Sequence, residues 1–477
     1  MIQFLLNQTL KTVTDVAPDT TILRWLRTQE RRSGTKEGCA SGDCGACTVV
    51  IGEPAIEGMT YQTANSCITL LSQLHGKQLL TVEDLADNGL LHPVQQAMAD
   101  CHASQCGFCT PGFVMSTFAL QKSGCPGSLH AIEQQLAGNL CRCTGYRPII
   151  AAAQQVCGRE VNDRFETLAQ QTAGRLREIR LKAIENHPDQ TCLLPTTLSE
   201  LAALCLRHPS ASLLAGGTDL ALNVTQHHQR LERIIALHQV EALKAITITD
   251  RTIVLGAGVT LQRCQHALET LIPAFSQALS RFASCQIRNQ GTLAGNLANA
   301  SPIGDGAPML LALNAHLVLQ RGDQTRELPL DQFFLAYRKT ALQPGEFIRD
   351  IVIPRSGISP SFAAWKVSKR RDDDISTVFG AFNILVEEGR VVEARIGFGG
   401  MAATPSRAMT CEQALLYRPL SDALDSACAA LAQDFSPLSD FRGSGAYRLA
   451  IARNLLRRYV LQQSHPQTAL EVDAYVE

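Results

Sequence analysis

Cysteine sets the first constraint on this chain. Of 17 cysteines in 477 residues, eleven lie at or before Cys157, and six are scattered beyond it at 192, 205, 264, 285, 411 and 428. The count is odd, and Met1 to Leu10 has no basic region followed by a long apolar run. Both features argue against a secreted disulfide framework, and clustered reduced thiols usually hold metal. Cys39, Cys44, Cys47 and Cys67 follow the pattern C-x4-C-x2-C-x19-C, which is the plant-type 2Fe-2S spacing. Gly38, Gly42 and Gly45 let the backbone of GCASGDCGACTVVIG wrap a cluster closely with its N–H groups turned inward. Structural zinc is the alternative, but zinc ligands normally come as two short knuckles, whereas this loop has three cysteines in nine residues.

Cys106, Cys109, Cys141 and Cys143 form a second set, C-x2-C-x31-C-x1-C. Spacing alone leaves a four-cysteine zinc site open here. A second 2Fe-2S centre fits better, because Thr110-Pro111 and Tyr146-Arg147-Pro148 each place Pro near the start of a helix, whose positive end favours an anionic cluster.

Length and composition frame these sites. At roughly 100–200 residues per domain the chain should hold about three, and 45% apolar with 18% charged residues describes a folded chain. A formal charge of −1 gives no basic excess for a phosphate backbone, so nucleic acid is not an expected partner. No uncharged apolar run approaches the roughly 18–20 residues of a membrane span, and a cytoplasmic location is expected.

The pattern predicts a multidomain α+β protein. IQFLLNQTLKTVTDV reads as a β-hairpin and TTILRWLRTQE as a helix, followed by the Cys-rich loop and a strand over Thr48 to Ile51. From His92 to about Gln155 the periodicity is helical. Residues 158–190 are charged, lack a sustained apolar stripe and read as a linker. Strands and helices alternate from Thr191, and a Pro/Gly/Ser segment at 355–361 precedes a last module of strands and helices. The expected domains are therefore 1–85, 86–157, 191–356 and 357–477, with 158–190 joining the second to the third.

The pairing of EGCASGDCGACTV with QCGFCTPGFVMS and GNLCRCTGYRPI resembles the iron–sulfur region of the xanthine oxidase family of molybdenum hydroxylases. That resemblance covers the whole chain. It implies a plant-type ferredoxin β-grasp domain, a helical 2Fe-2S domain and a vanillyl-alcohol-oxidase-type FAD-binding domain with an α+β C-terminal extension. It also implies that the helical-domain cluster lies nearest molybdenum and the plant-type cluster nearer the flavin. Cys101, Cys125 and Cys157 match no ligand position and read as buried small apolar side chains.

In the flavin half, LLAGGTDLALNVTQ puts Gly216-Gly217-Thr218 after an apolar strand, where free N–H groups can accept a pyrophosphate. The turn lacks G-x-G-x-x-G, and taken alone it reads more readily as a plain strand-turn. NQGTLAGNLANASPIGDGAP, 289–308, is rich in Gly, Asn, Ser and Pro. By resemblance Leu214, Ala215, Gly216, Gly217, Thr218, Asp219 and Leu220, with Thr292, Gly295, Asn296, Asn299, Ser301 and Asp305, would contact FAD. Phe282 matches the aromatic residue that stacks on the isoalloxazine ring, though it also suits a core position. Tyr337 and Lys366 match further flavin-side positions. The run Asp372-Asp373-Asp374, otherwise a solvated loop, matches the loop beside the ring in NAD-using members. Asn299 departs from the Thr that relatives often carry.

The resemblance implies an electron-transfer subunit of a purine-oxidising enzyme, with two 2Fe-2S clusters feeding FAD and FAD feeding NAD. The molybdenum cofactor and the catalytic groups for hydroxylation would lie on a separate large subunit, in a heterotetramer of two small and two large chains. No catalytic residue for substrate hydroxylation is expected here. A stand-alone iron–sulfur flavoprotein reductase, the corresponding subunit of a hydroxylase acting on another heterocycle or an aldehyde, and a zinc-bound scaffold are the alternatives.

Overall fold

The computed structural model describes residues 1–124, 127–159, 162–182, 184, 186–187, 189–468 and 470. The chain divides into two compact units. The first comprises Met1–Leu204, Ser210–Glu241 and Ala283–Gly291; the second comprises Cys205–Pro209, Ala242–Phe282 and Thr292–Glu477. Three stretches of the expected 191–356 region, 191–204, Ser210–Glu241 and Ala283–Gly291, fall in the first unit.

In the first unit, strands β1 (Ile2–Leu6) and β2 (Thr9–Val13) form the expected hairpin, turning through Asn7 at φ 53°. Helix α1 (Ile22–Thr28) follows, started by the Thr21 hydroxyl, which accepts from Arg24 N–H. Strands β3 (Thr48–Pro54), β4 (Met59–Asn65) and β5 (Gln78–Leu80) complete a sheet of order β2-β1-β5-β3-β4. β1 and β5 are parallel, whereas β3 is antiparallel to both its neighbours.

Alternation along the strands sends side chains to both faces, and both faces are buried. Phe4, Leu6, Val49 and Ile51 pack with Trp25 and Leu26 of α1. Val50 and Leu80 join the core of a helical layer. That layer is α2 (Pro93–Asp100), α3 (Thr110–Lys122), α4 (Leu129–Leu136) and α5 (Arg147–Val156). Its centre is an aromatic cluster of edge-on contacts among Tyr61, His92, Phe118 and Phe165.

The segment expected to be a linker instead carries the helix Ala169–Leu181. Ala169, Thr172, Ala173, Leu176 and Ile179 are its buried face, and Leu176 and Ile179 pack on Leu5. Its arginines are tied down: Arg175 donates to the Gln8 carbonyl at 2.8 Å, and Arg180 to the Gly76 carbonyl and Glu53, both at 2.9 Å. Ala169, Thr172 and Ala173 supply three of these five positions, so the stripe carries little hydropathy contrast and escapes a periodicity test.

The first unit is completed by three parallel strands in the order Cys192–Leu193, Ile234–Ala236, Ser212–Leu214. The second unit holds an antiparallel sheet in the order Gln324–Pro329, His316–Arg321, Phe347–Pro354, Thr252–Gly256, Ile246–Ile248. Its other sheet runs Ala363–Val367, Val378–Glu387, Arg390–Gly399, Ser406–Arg407 and shares a core with the helices Met409–Leu415, Leu420–Asp434 and Gly445–Ser464.

Candidate cofactor sites

The first cysteine set lies on the loop before β3 and just after β4. Its path needs left-handed backbone at Ala40, Gly42 and Gly45, with φ of 55°, 88° and 68°. A side chain at Gly38 would stand 2.8 Å from Cys44 Sγ, so glycine there admits the thiol. Asn65 Nδ2 donates to the Gly42 carbonyl at 2.6 Å and ties the loop to β4. Cys39 Sγ accepts backbone N–H bonds from Ser41 at 3.4 Å and Cys44 at 3.3 Å. Cys47 and Cys67 are buried with their sulfurs 3.3 Å apart.

The thiols pair off electrostatically. Cys39 is held down to about 4, chiefly by the Cys44 thiol's hydrogen bond, and Cys44 is raised in return. The Cys67 thiol lowers Cys47, and Cys67 is raised by the same contact and by burial. Metal binding takes the thiolate form, so loading this set would release the protons these thiols hold.

The second set is assembled by two helix starts. Cys109 immediately precedes α3, with Pro111 in the first turn, and Tyr146 at φ 68° precedes α5, with Pro148 in the first turn. Cys106 and Cys143 are exposed. Gln105 Nε2 donates to the Cys143 carbonyl at 3.2 Å, joining the two loops, and Cys141 N–H donates to Tyr146 Oη at 3.1 Å.

Here too the thiols couple in twos. The Phe108 backbone and then Cys143 lower Cys106, while Cys143 is raised by Cys106. Burial first, then Cys141, pushes Cys109 up to about 12. Burial also pushes Cys141 upward, but the Thr144 hydroxyl and amide outweigh it and the thiol is lowered.

Among the described residues no three His, Cys, Asp or Glu side chains gather into a site for a single ion. Four thiols per set, three of the first on one glycine-rich loop and the second at two helix starts, are a donor set that fits a 2Fe-2S cluster. Of the other cysteines, Cys157 is buried, as expected. Cys101 is only partly buried and accepts from Gln155 Nε2 at 3.1 Å. Cys125 lies outside the described residues.

The candidate flavin residues fall in both units. In the first, Leu214 ends a strand, and Ala215 to Asp219 turn into the short helix Leu220–Thr225, with Gly217 at φ 77°. A side chain at Gly216 would collide with the Gln290 carbonyl. Gln73 Nε2 donates to the Gly216 carbonyl at 3.0 Å, so a residue far upstream pins this turn.

In the second unit, Thr292 Oγ1 accepts from Gly295 N–H at 3.0 Å and starts the helix Leu293–Ala298, which Asn299 ends. Asn296 Oδ1 accepts from Gly306 N–H at 3.3 Å, and Ser301 Oγ from Ile303 N–H at 3.4 Å. Asp305 is buried between Lys366 Nζ at 2.9 Å and Ser376 Oγ at 2.6 Å. The structure therefore brings Asp305 and Lys366 together and adds Ser376, which the sequence did not single out. Phe282 is half-buried, and Tyr337 is 62% exposed. Within the acidic run, Asp374 accepts the Arg370 N–H at 2.8 Å.

Four regions match known domain families. Residues 4–72 match the family described as "2Fe-2S iron-sulfur cluster binding domain", and 81–154 the "[2Fe-2S] binding domain". Residues 186–356 match the "FAD binding domain in molybdopterin dehydrogenase", and 363–463 the "CO dehydrogenase flavoprotein C-terminal domain". The chain is an iron–sulfur and flavin member of the molybdenum hydroxylase family.

A xanthine dehydrogenase of Emericella nidulans is 33% identical over 96% of this chain and 38% of its own length. A xanthine dehydrogenase/oxidase of Gallus gallus is 32% identical over 89% of this chain and 37% of its own. This chain thus spans less than two fifths of those relatives. Among solved structures, a cyanide-inactivated Cu,Mo-CO dehydrogenase chain is 28% identical, with a TM-score of 0.53 over 56% of this chain and 95% of that one. A carbon monoxide dehydrogenase chain from Hydrogenophaga pseudoflava gives 28% and 0.53 over 57% and 96%. Among the described residues no helix is long and apolar enough to cross a membrane.

Proposed function

We propose that this chain is the electron-transfer subunit of a purine-oxidising molybdenum hydroxylase of the xanthine dehydrogenase type. It would act in the cytoplasm beside a molybdenum-bearing large subunit, two of each per assembly. The observation that carries this reading is the presence of two four-cysteine sets, one on a glycine-rich loop and one at two helix starts, in a chain that also matches an FAD-binding domain. Cys39, Cys44, Cys47 and Cys67 would hold one cluster, and Cys106, Cys109, Cys141 and Cys143 the other. When bound, the clusters carry single electrons, and FAD collects two and passes a hydride to NAD.

The chain's own residues would bind and orient these groups. The Gly216–Thr218 turn and Thr292, Gly295, Asn296, Asn299 and Ser301 offer backbone and short polar side chains to a dinucleotide. Phe282 would stack on the ring, and Tyr337 would lie at a further flavin-side position. The Asp305–Lys366 pair fixes a charge of each sign in a buried place, where both resist reorientation. A substrate other than a purine is the second reading, favoured by the matches to carbon monoxide dehydrogenase.

Purified chain should contain about four iron, four acid-labile sulfides and one FAD. Two zinc and no sulfide would overturn the assignment. In the reconstituted complex, Cys109→Ser should stop purine-dependent NAD reduction while NADH still bleaches the flavin. If purine still reduces the plant-type cluster of that variant at the normal rate, the order of carriers is wrong.

A further inference from the structure

Between the two cysteine sets lies a buried hydrogen-bonded junction. Leu140 N–H donates to the Cys44 carbonyl at 3.0 Å, joining one ligand position, Cys44, to the residue before another, Cys141. Beside it, Asn139 Nδ2 donates to the Gly45 carbonyl at 3.1 Å and to Thr48 Oγ1 at 3.2 Å. Three glycines make the approach possible. A side chain on Gly45 would collide with the Gly138 carbonyl, one on Gly112 with the Gly45 carbonyl, and one on Gly138 with Gln286 Oε1.

Donor and acceptor logic fixes the Asn139 amide. The Gly45 carbonyl can only accept, so Asn139 must turn Nδ2 toward it, which leaves Asn139 Oδ1 needing donors on the other side. Ser116 Oγ supplies one at 2.6 Å, and Gln286 Nε2 supplies another at 2.9 Å. Gln286 Nε2 also reaches Thr48 Oγ1 at 3.3 Å and Ser116 Oγ at 3.4 Å. It is 0% exposed, and its Oε1 has no hydrogen-bond partner among the described residues. Buried amides are normally satisfied at both ends. Here the amide is oriented entirely by what its nitrogen does.

We propose that Gln286, carried in on Ala283–Gly291 from the flavin half, is a positioning residue: its buried amide orients Asn139 and so holds the Cys44–Leu140 hydrogen bond through which one electron passes between the two cysteine sets. This rests on assigning those sets as cluster ligands. Gln286 touches no cysteine in the junction and acts through Asn139.

The test uses the full chain with its clusters and reads two quantities. One is hydrogen exchange of the segment containing Leu140. The other is electron equilibration between the two cluster EPR signals after photoreduction by less than one electron per chain. Gln286→Met keeps the length and removes the donor. It should retain about four iron, lose protection at Leu140 and lose the fast equilibration phase. Gln286→Glu, whose buried carboxyl favours its protonated and donating form, should restore both. Unchanged exchange and equilibration in Gln286→Met, or no recovery in Gln286→Glu, overturns the proposal. Should Gln286→Met fail to fold, Ser116→Ala removes only the second donor to Asn139 and should show the same two losses in part; no change there also overturns it. A wild-type chain without iron would instead sink the cluster assignment, and the exchange readings would still decide whether Gln286 positions Leu140.

Discussion

The two cysteine sets are built on opposite plans. The first is a glycine-rich loop whose Cys47 and Cys67 sink into an apolar core with Ile68, Leu70, Leu214 and Ile234. The second is a meeting of two helix starts that leaves Cys106 and Cys143 exposed beside Phe108 and Tyr146, which are themselves 46% and 37% exposed. Backbone wrapping makes a site that is part of the core. Helix ends make one that sits on the surface, held from behind by α3 and α5. In the proposed function, the surface set is the one placed to receive electrons from outside the chain.

Replacing one cysteine from each set gives the largest effects and tests the contrast directly. Cys47→Ser and Cys143→Ser should each lose about half of the roughly four irons per chain. Only Cys47→Ser should also lower the melting temperature, because its loss leaves a polar hydroxyl and an unpaired thiol in the core. Equal falls in melting temperature would break the distinction between buried and exposed sets.

Two glycines with nearly the same left-handed backbone sharpen it. Gly45 has φ 68° and no room for a side chain, whereas Gly145 has φ 67° and nothing within 4 Å. Gly45→Ala should cost roughly 3 kcal/mol or more, from strain together with overpacking. Gly145→Ala should cost only about 1 kcal/mol of backbone strain. Thermal denaturation of the two variants against wild type measures both.

The smallest effect concerns acid stability of the helical layer behind the exposed set. Burial alone would raise Asp163, but His92 at 2.9 Å and Lys122 at 2.7 Å hold it down to about 2. A carboxyl whose folded value lies below its ordinary 3.8 stabilises the fold above that value and stops doing so as pH falls through the folded one. Asp163→Asn should therefore melt below wild type at pH 7, and the gap should close between about pH 4 and pH 2. A gap that persists at pH 2 would assign the effect to packing.

Much of this architecture can be read from the sequence because its signals are local. Cysteine spacing separated the two sets, and Pro111 and Pro148 marked helix starts that the structure contains. What could not be read was relational. The pairing of Cys39 with Cys44 and of Cys47 with Cys67 depends on how a loop folds back. Ser376 meets Asp305 across 71 residues, and nothing in its own neighbourhood announces that. Asn139 and Gln286 are isolated polar residues in unremarkable sequence, and a buried amide leaves no periodic trace. The helix Ala169–Leu181 was hidden for a different reason, since its buried face is small and its arginines resemble solvent-exposed charge.

The return of Ala283–Gly291 to the first unit also sets an order of assembly. All eight cysteines of the two sets have been synthesised by Cys143, yet Gln286 is made later, by roughly 7 to 30 seconds at ordinary rates of synthesis. During that interval Asn139 lacks one of its two donors and the junction can still breathe. If Gln286 positions Asn139 as proposed, arrival of the flavin half would work as a latch, tightening the seam between the iron–sulfur domains only on a chain whose translation has run well beyond them.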